Sequence, residues 1–290
     1  MKFLGYQRKD GSVGTRNYIG IISSVFCANH VAKCVADNIF GTVALTHPLG
    51  CGQHGEDLKQ TTKTLIGLGQ HPNLAAVLVV SLGCEKLSAT EIATNIAKTG
   101  KPVDIVTIQE DGGTIKSIEK AMRIVSSWSN ELITEKREEV DIGNLTLGVK
   151  CGGTDATSGI VSNPALGIAS DLLVKGGGTT IISEVTELIG AEHIIAKRAI
   201  NDRVAQDILR VVKNAEKRLR DKTKGIDRVA PCGALVSTGN FDGGVSSVVE
   251  KALGGMYKSG NMPFNGVVGY AEKITGKGLF LMDSPGVDNE

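Results

Sequence analysis

The densest group of chemically reactive side chains in the sequence lies in the segment THPLGCGQHGED, which runs from Thr46 to Asp57. Cys51 and His54 are three residues apart, a spacing that allows both side chains to bind one divalent metal ion. A histidine is also the usual general base near neutral pH. The alternative is structural: the histidine then bonds to the loop backbone, and the cysteine packs as a small apolar residue. The segment alone leaves both interpretations open.

A second group consists of two acidic residues, Glu184 and Glu187, in the segment SEVTELIGAEH. If this segment begins a helix, their spacing places both carboxylates on one face. Paired carboxylates suit a hard cation or a proton transfer, and we expect both residues to bind a metal ion. The competing interpretation is that they are the acidic residues that stabilise a helix N-terminus.

Two glycine-rich turns in the second half of the chain carry further polar side chains. In KCGGTDATSG, Asp155 and Ser158 lie in a turn whose backbone N–H groups could hold a carboxylate. In GNFDGG, Asn240 and Asp242 are flanked by glycines that allow the backbone to approach a ligand closely. We expect Asp155, Ser158 and Asn240 to contact a substrate and Asp242 to be catalytic. A plain turn is the alternative for GNFDGG.

The elements that position these side chains are predicted from hydrophobic patterning. In the first half, strands are predicted at Asn17–Val25, Val43–Thr46, Ala75–Leu82 and Val103–Ile108, and helices at Cys27–Phe40, Glu56–Leu68, Ser88–Thr99 and Gly113–Glu138. In the second half, strands are predicted at Leu145–Val149, Thr179–Ser183, Val267–Tyr270 and Gly278–Met282, helices at Pro164–Val174, Asn201–Thr223 and Gly244–Tyr257, and a loop or strand at Val229–Ser237.

Strands that alternate with helices predict a parallel sheet with helices on both faces. We therefore assign the chain to the α/β class, with a Rossmann-like parallel-sheet domain over residues 1–138 and a second α/β domain over residues 139–290. The charged run EKREE marks the boundary, although a solvated helix end explains it equally well. The turn-like ending LFLMDSPGVDNE suggests that the second domain is incomplete at its C-terminus.

In an open parallel sheet, ligands bind beyond the carboxyl ends of the strands. Every predicted strand of the first domain is followed by small, polar or metal-binding residues instead of packing residues. These are Ser23, Ser24 and Cys27 after the first strand, the Thr46–Asp57 segment after the second, Cys84 and Glu85 after the third, and Glu110 and Asp111 after the fourth. Four such loops in succession predict a site along this edge, with Glu85 as a catalytic acid or base.

Composition excludes several functional classes. The formal net charge of +1 and the aromatic content of 4% argue against a nucleic-acid surface. Six scattered cysteines without a CxxC pair, no signal peptide and no membrane-spanning run predict a reduced cytoplasmic protein that does not enter a membrane. GxGxxG, GxxxxGK[ST] and GxSxG motifs are all missing, which argues against nicotinamide or flavin binding, an ATPase and an α/β-hydrolase.

Several segments, taken in order, resemble the large catalytic region of the altronate/galactarate dehydratase family. They are GYQRKDGSVGTRNYIGIISSV from Gly5, THPLGCGQ from Thr46, GCE from Gly83, QEDGGT from Gln109, GVKCGGTDATSGIVSNPALG from Gly148, SEVTELIGAEHI from Ser183 and GNFDGG from Gly239. This resemblance extends from residue 5 to the last residues of the chain and is specific for the family, but much less so for the substrate.

The resemblance implies dehydration of an aldonate or aldarate to a 2-keto-3-deoxy acid with a divalent metal, Fe²⁺ in the first place and Mn²⁺ or Mg²⁺ as alternatives. A metal that binds the carboxylate and the α-hydroxyl stabilises the enediolate that forms when the α-proton leaves. His54 and Glu85 are then candidate acid–base groups, and Cys51 a candidate metal ligand beside Glu184 and Glu187. Arg16 could hold the substrate carboxylate, with Asn17 beside it, although a surface arginine is the alternative.

The resemblance also implies partners and alternative functions. Family members generally carry a small SAF-like domain, in the same chain or on a separate subunit, and we expect such a piece together with homo-oligomerisation. The large subunit of sulfolactate sulfo-lyase is similar, so sulfite elimination from sulfolactate is the first alternative. A non-catalytic sugar-acid binding or assembly module is the second. All of these expectations assume that polar loops from both halves of the chain form a common pocket.

Overall fold

The computed structural model describes residues 1–222 and 236–284, and two compact units divide the chain. The N-terminal unit comprises Lys2–Val140, and the C-terminal unit comprises Asp141–Glu290 together with Met1. Each unit contains a four-stranded parallel sheet with helices packed against it. The predicted α/β class with parallel sheets is therefore confirmed.

The N-terminal unit is built around a sheet with the strand order β4-β3-β5-β6. Its strands are β1 (Lys2–Gln7), β2 (Val13–Gly14), β3 (Tyr18–Ser23), β4 (Thr42–Leu45), β5 (Leu74–Ser81), β6 (Val103–Thr107) and β7 (Glu138–Asp141), and its helices are α1 (Asn29–Asn38), α2 (Gly55–Gln70), α3 (Ala89–Ala97) and α4 (Thr114–Leu132). The chain leaves β3 toward β4 on one side and β5 toward β6 on the other. The order of strands therefore reverses between β3 and β5, where ligands bind in sheets of this kind.

Strand β5 explains why helices cover both faces of this sheet. All of its residues are buried, and successive side chains point to opposite faces. Leu78 and its neighbours on one face pack against α1 and α4. Val77 and Val79 on the other face pack against α2 and α3. Since each buried aliphatic side chain contributes about 1.5–3 kcal/mol, a strand that is apolar on both faces is stable only between two helical layers.

The sequence prediction was wrong at both ends of the N-terminal unit. Helix α4 ends at Leu132, not at Glu138, and Glu138 and Glu139 lie in β7. Strands β1 and β2 pair antiparallel and form a small sheet of order β2-β1-β7, where no strand was predicted. These short, largely exposed strands lack the apolar run by which the buried strands were found, and pairing with β1 overrides the helical preference of the charged residues.

The C-terminal unit contains a sheet with the order β10-β11-β9-β8, in which all strands are parallel. Its strands are β8 (Thr146–Val149), β9 (Thr179–Ile182), β10 (Phe264–Gly269) and β11 (Gly278–Asp283), and its helices are α5 (Asn163–Lys175), α6 (Glu192–Ala196), α7 (Asp202–Lys222), α8 (Thr238–Asp242) and α9 (Val248–Met256). Strands β9 and β11 are neighbours although β10 lies between them in the chain, so their carboxyl ends bring distant segments together.

Helix α7 supplies the largest apolar face of this unit, with Val204, Ile208, Val211 and Ala215 packed in one cluster with the strands. The expected strands and helices of this half are present where the structure describes the chain. The Val229–Ser237 prediction lies almost wholly outside the described residues, as does the end of LFLMDSPGVDNE. Across residues 1–222 and 236–284, every helix is too short or too polar to cross a lipid bilayer.

Candidate functional site

The C-terminal unit contains a buried cluster of charged side chains at the carboxyl ends of its strands. Cys151 comes shortly after β8, Glu184 comes shortly after β9, and Glu187 lies in the single helical turn that follows. Lys258 reaches them from the short 3-10 helix after α9. Its Nζ lies 2.7 Å from the Sγ of Cys151, 3.3 Å from Glu184 Oε2 and 3.4 Å from Glu187 Oε2. One ammonium group therefore contacts all three other members.

Glu184 is held in an unusual backbone conformation. Its φ angle is 63°, in the left-handed region that residues other than glycine rarely adopt. Its backbone N–H donates to the hydroxyl of Ser284, directly after β11, at 2.9 Å. Its Oε2 accepts from the backbone N–H of Cys151 at 2.6 Å. A strained buried residue whose polar groups are bonded to two neighbouring segments is typical of a functional site.

Two lysines balance the two glutamates of the cluster. Lys251 Nζ lies 3.2 Å from Glu187 Oε1, on the side of this carboxylate away from the oxygen that meets Lys258. Burial raises the pKa of Glu187, but the Lys258 ammonium, the Cys151 thiol and Lys251 outweigh it and hold the pKa below its usual value. Burial lowers the pKa of Lys258, but Cys151, Glu187 and Glu184 reverse this and leave it raised. Both shifts favour the charged forms.

Cys151 behaves differently, because burial disfavours its thiolate. Burial, opposed by Lys258 and assisted by Glu187, raises the pKa of this thiol to about 11. At neutral pH the thiol of Cys151 is therefore neutral, beside the charged forms of Glu187 and Lys258.

The backbone that carries Lys258 is fixed by α5. The carboxylate of Asp171 accepts hydrogen bonds from the backbone N–H groups of Asn261 and Met262, at 2.8 and 3.0 Å. Gly167 faces the backbone carbonyl of Tyr257 so closely that any side chain at this position would collide with it. The absence of a side chain at Gly167 and the carboxylate of Asp171 together hold the segment around Lys258 in place.

The donor atoms of Cys151, Glu184 and Glu187 could hold a metal ion, since they lie within 4.8 Å of one another. A sulfur with two carboxylate oxygens suits a borderline divalent ion such as Fe²⁺. The three side chains already stabilise one cation, the Lys258 ammonium, which shows that this position favours positive charge.

Glu85 occupies the corresponding position in the N-terminal unit, after β5 and next to the carboxyl end of β3. Its Oε1 accepts from the hydroxyls of Ser24 and Ser81, at 2.5 and 2.6 Å, and from the backbone N–H of Leu82. Its Oε2 accepts from the N–H of Gly83. Burial raises the pKa of Glu85, but these hydrogen bonds outweigh it and lower the pKa below its usual value. A carboxylate with four donors is a weak base, which favours a positioning role.

The segment after β4 is bonded to the same edge. His47 Nε2 lies 2.8 Å from the carbonyl of Ser23, and its Nδ1 accepts from the N–H of Leu49. Both ring nitrogens therefore bond to backbone groups. His54 and Cys51 are exposed, and Lys86 Nζ lies 2.9 Å from Nδ1 of His54. The structure thus places His54 beside a lysine and leaves it accessible to solvent.

Arg16 and Asn17 lie at the opposite edge of this sheet, because they precede β3 whereas Glu85 follows the parallel β5. A strand of six residues is roughly 20 Å long, which separates the two positions. Asn17 Oδ1 accepts from Arg8 at 2.8 Å, and its Nδ2 donates to the carbonyl of Leu132. Arg16 is exposed and donates to the neighbouring carbonyl of Thr15. Their substrate-binding role stays a prediction that this placement does not favour.

The two glycine-rich turns of the C-terminal unit pack against each other. Asn240 donates from Nδ2 to the carbonyl of Thr154 at 2.8 Å. Its Oδ1 accepts from the N–H of Ser237, the residue that caps α8. Asp155 accepts from the Thr157 hydroxyl and the Ser158 N–H, and the Thr157 bond leads the causes that lower the pKa of Asp155. Asp242 is exposed at the end of α8. The structure thus brings these turns together, although most of their polar groups bond to each other.

Sequence patterning did not identify Cys151 or Lys258 as site residues. Cys151 could have been found, because it comes shortly after a predicted strand just as Cys84 does. Lys258 carries no such signal: a lysine after a helix is usually solvated, and only the fold shows that it is fully buried.

Comparisons with known proteins cover nearly the whole chain. The profile described as D-galactarate dehydratase/altronate hydrolase, second domain, matches residues 5–132, and the one described as D-galactarate/altronate dehydratase, C-terminal, matches residues 142–290. The chain is 38% identical to the (2R)-sulfolactate sulfo-lyase subunit beta of Chromohalobacter salexigens over 97% of its own length. It is 32% identical to the altronate dehydratase of Bacillus subtilis and 35% identical to the L-threo-forming galactarate dehydratase of Escherichia coli, each over 99% of its length.

These relatives are longer than the region they share with the chain. The matched region covers 71% of the sulfo-lyase subunit, but 58% of the altronate dehydratase and 57% of the galactarate dehydratase.

Proposed function

Because the chain belongs to the D-galactarate/altronate dehydratase family, we propose that it is the large catalytic part of a hydro-lyase that acts on an aldonate or aldarate. The observation that carries this proposal is the match of two consecutive family profiles over nearly the entire chain. The reaction removes the proton α to the carboxylate and expels the hydroxyl from the next carbon as water. The resulting enol then becomes a 2-keto-3-deoxy acid.

The C-terminal cluster suits the charge that this reaction develops. Removal of the α-proton leaves negative charge on the substrate carboxylate, which preorganised positive groups stabilise. We propose that Glu184, Glu187 and Cys151 hold a divalent ion, with Fe²⁺ before Mn²⁺ or Mg²⁺. Such an ion supplies Lewis-acid stabilisation of the enediolate. The convergence of the three donor atoms supports this assignment.

We assign the proton transfers to accessible side chains. His54 is exposed, and an imidazole is suited to accepting a proton near neutral pH. Asp242 is exposed between glycines and is the proposed acid for the leaving hydroxyl. Glu85 is proposed to hold the switch-point loops, because its four hydrogen bonds connect the ends of β3 and β5. Asp155, Ser158 and Asn240 are proposed to shape a substrate-binding turn of the C-terminal unit.

The proposal is tested by combining the chain with a small SAF-like partner and Fe²⁺ or Mn²⁺ under anaerobic conditions. We expect keto-acid formation from at least one member of a panel of aldonates and aldarates. Glu184→Gln and His54→Ala should each abolish it, whereas Glu192→Gln, which changes an acid of the same segment, should retain it. A panel without keto-acid product, or full activity in both variants, would contradict the proposal.

Sulfite elimination is the second candidate, because the sulfo-lyase subunit beta matches at 38% identity and 71% of its length. The name of this relative also describes one subunit of a larger enzyme, which supports a separately supplied partner. The same preparation incubated with (2R)-sulfolactate separates the two reactions. Release of sulfite with no keto acid from the sugar-acid panel would favour the sulfo-lyase. Sugar-acid binding without either product would favour a non-catalytic module.

A further inference from the structure

The ammonium group of Lys258 occupies the position that a metal ion bound to the cluster would need. This ammonium lies 2.7–3.4 Å from one sulfur or oxygen atom on each of the three residues that could bind an ion, Cys151, Glu184 and Glu187. Divalent ions sit about 2.0–2.6 Å from such sulfur and oxygen ligands. An ion among the same three atoms would therefore overlap the ammonium or lie in direct contact with it. The two cations cannot occupy the cluster together.

The charge of the cluster leads to the same exclusion. Glu184 and Glu187 face Lys258, and Glu187 also faces Lys251, so two negative charges already meet two positive ones. An added divalent ion would leave the buried group with excess positive charge. Unbalanced charge is strongly unfavourable where water is excluded. If one ammonium group leaves, the excess positive charge falls and space for the divalent ion becomes available.

Lys258, rather than Lys251, is the group that has to leave. Lys251 contacts only Glu187 among the three ligand residues in the contacts described above, through Oε1, while Lys258 contacts Oε2 of Glu187 and also Cys151 and Glu184. The ligand set also has supports that do not involve Lys258. Glu184 is fixed by the N–H of Cys151 and by Ser284. The three ligands can therefore keep their arrangement when the lysine side chain turns away on its flexible stem.

From this geometry we infer that Lys258 is a built-in competitor for the divalent ion, so that an ion binds only by exchanging places with its ammonium. The inference rests on the proposed metal-assisted function and adds a control of metal loading to it. Lysine at position 258 lowers the affinity of the cluster for ions in general. It also keeps the buried carboxylates compensated when no ion is bound.

The test is Mn²⁺ binding to the full chain after chelator treatment, followed by the electron paramagnetic resonance signal of free Mn²⁺. We expect Lys258→Met to bind Mn²⁺ at least about tenfold more tightly than the wild type, since a repelling charge and its bulk are both removed. Lys251→Met is the matched control, because it removes one positive charge from the same cluster but none from the ligand centre. Its affinity should rise less than that of Lys258→Met.

Unchanged or weaker binding in Lys258→Met would overturn the inference, and so would an equal gain in Lys251→Met, which would indicate general electrostatics only. If Lys258→Met does not fold alone, thermal unfolding with and without Mn²⁺ replaces the titration. A variant that folds only with the ion supports the exchange, and one that the ion does not rescue contradicts it. Tighter binding without keto-acid product would leave the exchange standing and defeat the proposed function. Keto-acid product with unaltered binding would do the reverse.

Discussion

The two units each place a glutamate after an inner strand of a parallel sheet, but they compensate its charge in different ways. Glu85 in the N-terminal unit is half-buried, and its donors among the described residues are neutral, two serine hydroxyls and two backbone amides. Glu184 and Glu187 in the C-terminal unit are buried and face two ammonium groups. Neutral donors hold a carboxylate in place without a competing cation. A fully buried pair needs a counter-charge, which makes it sensitive to the loss of a single side chain.

The comparison predicts the largest effect at Lys258. Without a metal ion, Lys258→Met should lower the free energy of unfolding by about 3–5 kcal/mol, because it leaves buried carboxylates uncompensated. Lys251→Met should lower it by less, since Glu187 keeps Lys258. Urea unfolding in the presence of a chelator measures both. Equal losses would show that the Lys258 ammonium contributes no more to stability than Lys251 does.

The second effect concerns the thiols of the two units. Burial raises the pKa of Cys151 to about 11, whereas Cys51 is exposed. The thiolate fraction of Cys151 at pH 8 should therefore be about 100-fold below that of an ordinary thiol, and its alkylation correspondingly slow. Iodoacetamide labelling followed by peptide mass spectrometry compares the two residues. Rapid labelling of Cys151 at pH 8 would contradict the buried arrangement.

A smaller effect is expected for the hydroxyl that supports Glu85. Ser24→Ala removes a donor from this carboxylate and should lower stability by about 1–2 kcal/mol. Ser23→Ala is a closely matched control, because the neighbouring Ser23 hydroxyl is buried without a hydrogen-bond partner among the described residues. Its replacement should be neutral or slightly stabilising. Thermal unfolding of both variants measures the two changes in stability. A larger loss of stability in Ser23→Ala than in Ser24→Ala would contradict the supporting role of the Ser24 hydroxyl.

The smallest effect is a change in acid sensitivity. The pKa of Glu187 is lowered from 4.5, so this carboxylate contributes stability above that pH and loses it as the pH falls through the folded-state pKa. Glu187→Gln should therefore reduce the slope of stability against pH below about pH 4.5. Urea midpoints between pH 6 and pH 3 measure the slope. An unchanged slope would show that Glu187 does not gain its charge stabilisation from the lysines.

The sequence predicted the parts of the fold that bury continuous apolar surface. Strand β5 and helix α7 were identified because an apolar run and an amphipathic repeat each determine one structure. Strands β1 and β7 were missed, since short polar strands owe their existence to pairing with each other. The same limit applies to the cluster. The spacing of Glu184 and Glu187 indicated a pair, but Lys258 joins it only through the tertiary fold.

The fixed backbone around Lys258 has a consequence for how quickly the cluster can respond. Asp171 and the close approach at Gly167 hold the main chain on both sides of the lysine, so the proposed exchange would involve the side chain and not these main-chain segments. The motion needed is rotation about the four carbon–carbon bonds of one side chain. Side-chain rotation is in general faster than segmental rearrangement, although the full burial of Lys258 slows it. The proposed exchange of cations therefore requires no change in the main chain next to Lys258.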